Sequence, residues 1–236
     1  MGINLNLNPT TQKTEIVENR PPFQAGDRLT RFEFERRYNA YPEVKKAELI
    51  EGVVYMPSPV RISQHGSPHF NLIGWLNLYL MVTPGLVGAD NATVRLDLEN
   101  EVQPDALVYL EPELGGQAYV GEDGYLEGAP EFIAEIAAST VAYDLHDKWR
   151  VYTRSGVQEY LAIQVYEEKI DWFVLREGRY ETLLSNENGI LKSEVFPGLW
   201  LNGPAFWQRD MAALKLTVEE GLQSPEYHAF VEQLNT

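Results

Sequence analysis

The sequence predicts a single α/β domain built around one mixed sheet. Three observations lead there. Helix-like and strand-like stretches follow one another as a helix, a group of strands, a helix and more strands. With 236 residues, 44% of them hydrophobic, the chain can bury a large core. After Pro22 neither a convincing linker nor an internal repeat divides it.

The elements are justified in chain order. Residues 1 to 22 are polar, rich in Asn and Thr, and end in Pro21-Pro22, which reads as a mobile arm before a domain over 23–236. "LTRFEFERRYNAYP" reads as a short helix that stops before Pro42. "KAELIEGVVYMPSP" reads as a hairpin turning at Glu51-Gly52. "SPHFNLIGWLNLYLMVTPG" is apolar on nearly every face, so a buried helix is expected, ended by Pro84-Gly85. Strands are expected at "ATVRLDL", "PDALVYL" and "PEFIAEIAA", with the acidic stretch from Glu111 to Ala129 a loop or small excursion. "YDLHDKWRVYTRSG" reads as a helix with Asp144 as its N-cap and Gly156 as its stop. "VQEYLAIQV", "KIDWFVLREG" and "RYETLL" read as strands, the last two a hairpin, and the tail from Trp207 holds one or two helices.

Composition excludes several function classes. No apolar run approaches the roughly 20 residues of a membrane span, and the N-terminus does not read as a signal peptide. There is no Cys, so disulfides, thiolate catalysis and cysteine metal sites are excluded, which suits a cytoplasmic protein. The net charge of −16, from 19 basic and 35 acidic residues, argues against broad nonspecific binding to a polyanion. A Gly-x-Ser-x-Gly elbow, a Walker loop and a GxGxxG are all absent.

The chemistry centres on carboxylates in apolar company. Asp105 opens one strand-like run and Glu135 lies inside "FIAEIAA". A lone charge there costs several kcal/mol unless something offsets it, and a divalent metal held by oxygen ligands would do so. Without the ion the pair would repel and one carboxyl pKa should rise. Lys148 lies four residues after Asp144, on the same helix face. Plainer readings stand beside these. Asp105 after Pro104 also suits a turn. Glu135 needs a partner only if it shares the face of Ile133 and Ala137. Glu48 and Glu51 flank a hairpin, where exposed Glu is ordinary. His65 and His69 are four apart, but Pro68 intervenes and no Glu completes a zinc motif, which leaves His65 a place near the mouth of a cleft.

In combination, "ELIEGVVYMPSP", "QPDALVYL", "GYLEGAPEFIAEIAASTVAYDLHDKWRVYTRSGVQEYLAI", "IDWFVLREGRYETL" and "GILKSEVFPGLWL" resemble the Uma-two family. These are bacterial proteins described as restriction endonucleases of the PD-(D/E)XK nuclease superfamily. The resemblance spans residues 28 to 235. It implies a restriction-endonuclease-like mixed sheet flanked by helices, with a magnesium site at the sheet edge. By the same resemblance Asp105 and Glu135 hold Mg²⁺ (or Mn²⁺), with Glu48 a further ligand or water-orienting group. The superfamily Lys, two residues after the second acid, is here Ala137, and Lys148 of "DLHDK" takes its role.

The resulting expectation is a metal-dependent DNA endonuclease with Glu48, Asp105, Glu135 and Lys148 as its catalytic set. A twofold dimer would suit cleavage of both strands. The rival, favoured by the net charge and the missing strand Lys, is a nuclease-like fold kept as a non-catalytic interaction or regulatory module. Catalysis predicts that the acids and Lys148 converge. DNA binding predicts a basic rim of Arg31, Arg36, Arg37, Lys45 and Arg61 beside them.

Overall fold

The computed structural model describes residues 24–57, 61–138 and 143–235. The arm expected over residues 1–22 lies outside them. In chain order the elements are α1 (Arg31–Tyr38), β1 (Glu48–Ile50), β2 (Val53–Tyr55), a π-helical turn (Ile62–Gly66), α2 (Ser67–Leu80), β3 (Leu86–Ala89), β4 (Val94–Arg95), β5 (Glu101–Val102) and β6 (Ala106–Leu110). After these come β7 (Tyr119–Val120), β8 (Leu126–Glu127), β9 (Phe132–Ala137), a second π-helical turn (Tyr143–Lys148), α3 (Trp149–Ser155), β10 (Glu159–Gln164), β11 (Lys169–Arg176) and β12 (Arg179–Thr182). The chain closes with β13 (Ile190–Lys192), β14 (Trp200–Asn202), α4 (Gly203–Gln208), α5 (Met211–Gly221) and α6 (Pro225–Leu234).

The expected mixed sheet has the order β12-β11-β10-β9-β6-β3. Its one parallel pair is β9 with β10, and its other neighbours are antiparallel. A parallel pair needs a crossover, usually helical. Here α3 supplies it, entered through the second π-helical turn at the C-terminal end of β9. That topology carries Lys148 back over β9. A second sheet, which sequence patterning did not separate, has the order β2-β1-β5-β4-β8-β7. Its short strands include the acidic stretch expected as a loop or small excursion, which contributes β7 and β8.

Strand alternation sorts the core. Phe132, Ala134 and Ile136 of β9 face α2, α5 and the β13–β14 hairpin. Ile133 faces the other way, with Leu107, Tyr160 and Tyr152. Glu135 therefore shares the face of Ile133. A third cluster packs Phe34 of α1 on Ala47, Leu49 and Val54 of the β1–β2 hairpin. That hairpin turns at Glu51-Gly52, with φ of 50° and 72°, the double left-handed geometry of a two-residue turn.

Two elements depart from expectation. α2 is not buried all round: Leu72, Trp75, Leu76 and Tyr79 face the sheet, while Phe70 is 79% exposed. The i, i+3, i+4, i+7 spacing of the buried four marks a one-sided helix. Asp144 is not an N-cap, because it lies inside the π-helical turn and α3 starts only at Trp149.

Candidate active site

The β6–β9 register pairs Ala106 with Ala134. One step further along this antiparallel ladder, Asp105 falls opposite Glu135. Residues opposite each other point to the same face, with Cβ atoms about 5 Å apart. Both acids are buried. Glu135 lies on β9 and Asp105 immediately precedes β6, both interior strands of the sheet rather than its edge strands β3 and β12.

Glu135 is met from α3 and the turn before it. Lys148 Nζ lies 2.7 Å from Glu135 Oε1, and the Tyr152 hydroxyl donates to the same oxygen at 2.8 Å. Tyr152 follows Lys148 by four residues, so both project from one side of the crossover. Lys148 Nζ also lies 3.0 Å from Glu48 Oε1, which accepts the Gln103 backbone N–H at 2.7 Å. Glu48, for which an exposed hairpin position was the plainer alternative to a ligand role, is 3% exposed. It faces inward because Glu48 opens β1, whose three residues are all buried. Burial, and then the charge of Glu135, push the Tyr152 hydroxyl well above its usual pKa, so it stays a proton donor at neutral pH.

Asp105 has a different set of partners. Its Oδ2 accepts the Ile136 N–H at 2.8 Å and its Oδ1 lies 3.3 Å from His65 Nε2. The Asp105 carbonyl accepts from His69 Nε2 at 2.8 Å. Both histidines thus serve Asp105, His65 near the end of the first π-helical turn and His69 in the first turn of α2. Burial alone would raise the Asp105 carboxyl. The His65 hydrogen bond and charge, the Ile136 N–H and Lys46 outweigh it, and the pKa is lowered. Asp105 is thus compensated from within the protein.

Lys148, Tyr152, His65 and backbone N–H groups already offset the acids buried in β9 and just ahead of β6. Their burial therefore does not by itself demand an ion. Among the described residues no three His, Asp or Glu side chains stand close enough to form a ready metal cage. The donor chemistry nevertheless suits a hard divalent cation, because Asp105 and Glu135 offer carboxylate oxygens from opposite positions on one face.

Of the expected basic rim, the three helical arginines are paired with acids. Arg31 pairs with Glu35 at 3.3 Å, Arg36 with Glu33 at 2.6 Å, and Arg37 with Glu33 and Asp27. Lys45 Nζ donates to the Pro42 carbonyl at 2.8 Å, and Arg61 is exposed. Sequence reasoning missed Tyr152 and Lys46. Tyr152 was findable, since an aromatic hydroxyl four residues after a candidate Lys shares its helix face. Lys46 gave no such signal, because its proximity to Asp105 depends on how the β1–β2 hairpin packs.

Both basic groups facing the acids are delivered by π-helical turns, His65 by Ile62–Gly66 and Lys148 by Tyr143–Lys148. Such turns are rare and recur at functional sites.

Comparison with known proteins agrees with this fold. A family model described as "Uma2: Putative restriction endonuclease" matches residues 33–204. A crystal structure described as "a putative nuclease belonging to DUF820" from Anabaena variabilis ATCC 29413 has a similar fold, with a TM-score of 0.53 at 12% identity. The similarity covers 72% of this chain and 96% of that one. No curated protein matches.

Proposed function

The chain belongs to the Uma2 family, and on that premise we propose that it is a divalent-metal-dependent DNA endonuclease. The observation that carries the reading is the Lys148 ammonium between Glu135 and Glu48, on the sheet face that Asp105 shares. Asp105 and Glu135 would hold Mg²⁺ or Mn²⁺, with Glu48 beside them. When bound, the cation would polarise a phosphoryl oxygen and lower the pKa of an attacking water.

The chain's own residues do the rest. Lys148 offsets the charge that grows on the phosphate and can orient a water through its N–H groups. Tyr152 and Lys148 together fix the orientation of the Glu135 carboxylate. His65 and the Ile136 N–H fix that of Asp105. Glu48 holds Lys148 from the opposite side. A twofold dimer would present one such site to each strand of a duplex.

One observation favours a second reading, a non-catalytic nuclease-like module: the acids are already neutralised by protein groups. The two readings separate in one experiment. Mg²⁺ and Mn²⁺ are titrated calorimetrically into wild type, Asp105→Ala and Glu135→Ala, with plasmid nicking measured on the same samples. Binding and nicking that both vanish in the variants are the expected result. Binding without nicking favours the module, and no carboxylate-dependent binding at saturating metal removes the nuclease mechanism.

A further inference from the structure

Resting on the nuclease reading, we propose that Lys46 is the phosphate anchor of this site, its ammonium taking a backbone phosphate oxygen of the nucleic acid beside Asp105. Two observations place it there. Lys46 precedes Glu48 by two residues, so in extended chain the two side chains leave the same side. Its Nζ donates to Asn91 Oδ1 at 3.1 Å, and the Asn91 N–H donates to the Pro104 carbonyl at 3.1 Å. Asn91 thus brackets Lys46 against the residue that precedes Asp105.

In a chain with 35 acidic and 19 basic residues, most cations find a carboxylate. Arg31, Arg36 and Arg37 have done so. Lys46 is half-buried, and its hydrogen-bond partner is a neutral amide. A neutral partner positions the ammonium without cancelling it, leaving the charge for an anion. Asn91 holds a left-handed backbone, φ 49°, which its short amide side chain tolerates. A phosphodiester matches this ammonium, since lysine recognises phosphate as a point charge.

The test is binding, read apart from cleavage. Anisotropy of a short fluorescein-labelled duplex is followed over a potassium chloride series, in EDTA and again in Ca²⁺. The proteins are wild type, Lys46→Gln, Lys46→Arg and Lys215→Gln, the last altering a lysine that pairs with Glu219 on α5. Losing one phosphate contact should lower the slope of log affinity against log salt by about one unit. That loss is expected in Lys46→Gln, to the same extent on duplexes of unrelated sequence. Lys46→Arg should retain the slope and Lys215→Gln should leave it unchanged. A wild-type slope in Lys46→Gln, or an equal loss in Lys215→Gln, overturns the assignment while wild-type binding and nicking leave the nuclease reading standing. A wild type that binds no duplex in either buffer overturns both.

Discussion

The Lys148 ammonium lies 2.7 Å from Glu135 and 3.0 Å from Glu48, all three being at most 4% exposed. Removing one partner of a buried charge set leaves the others uncompensated, which costs about 3–5 kcal/mol. Lys148→Met should lower the urea unfolding free energy by that amount. Adding Glu135→Gln should recover part of the loss, because the stranded charge is removed with it. Nicking should stay absent in both. If Lys148→Met alone is as stable as wild type, the trio is not the buried charge set described.

Tyr152 tests orientation rather than charge. Its hydroxyl and Lys148 share Glu135 Oε1, so Tyr152→Phe leaves the ion pair and removes one donor. The expected stability loss is about 1 kcal/mol. Groups that orient a metal ligand typically govern affinity more than this stability loss suggests, so Mn²⁺ binding should weaken about tenfold. Calorimetric titration beside a thermal melt separates the two effects. Unchanged Mn²⁺ affinity would leave Tyr152 a packing residue.

Legibility in the sequence followed the range of the forces involved. Local patterns gave both two-residue hairpins, the strands β6, β9, β10 and β11, and the crossover helix, because alternation and turn residues act over a few positions. The acids in apolar runs were visible for the same reason. Their partners were not. Whether Glu135 faces Tyr152 depends on the β9–α3–β10 crossover, and whether His65 reaches Asp105 depends on where α2 is laid across the sheet. The second sheet was hidden because its strands β4, β5, β7 and β8 are only two residues long, too short for any periodicity to show. The π-helical geometry carrying His65 and Lys148 likewise has no local sequence signature.

Glu159 gives a pH prediction remote from these acids. Its carboxyl accepts from Trp172, Ser193 and the backbone N–H groups of Glu194 and Val195. Burial outweighs these donors and raises its pKa from 4.5 to about 7. The folded state therefore holds this proton more tightly than the unfolded chain. Its contribution is most favourable below pH 4.5, declines as pH rises toward 7 and is flat above. A shift of that size is worth on the order of 3 kcal/mol. Urea unfolding of wild type and Glu159→Gln across pH 4.5 to 8 should show wild type losing stability relative to the variant by that order. A pH-independent difference would show that the donors, not burial, set this carboxyl.

The β11–β12 turn offers a change in the opposite direction. Arg176 pairs with Arg179 across a two-residue loop, Glu177-Gly178, in which both residues have positive φ, 48° and 77°. Such turns favour Asn-Gly, because a short amide side chain tolerates the left-handed backbone that longer side chains resist. Glu177 is exposed, so replacing it disturbs no core contact. Glu177→Asn should therefore raise the urea midpoint, by about 0.5–1 kcal/mol in stability, with nicking unchanged because the turn lies at the far end of a strand two removed from Glu135. Proline at 177 should do the reverse, since its ring fixes φ near −65°. Equal midpoints for Glu177→Asn and Glu177→Pro would mean that this turn does not hold the left-handed geometry on which the argument rests.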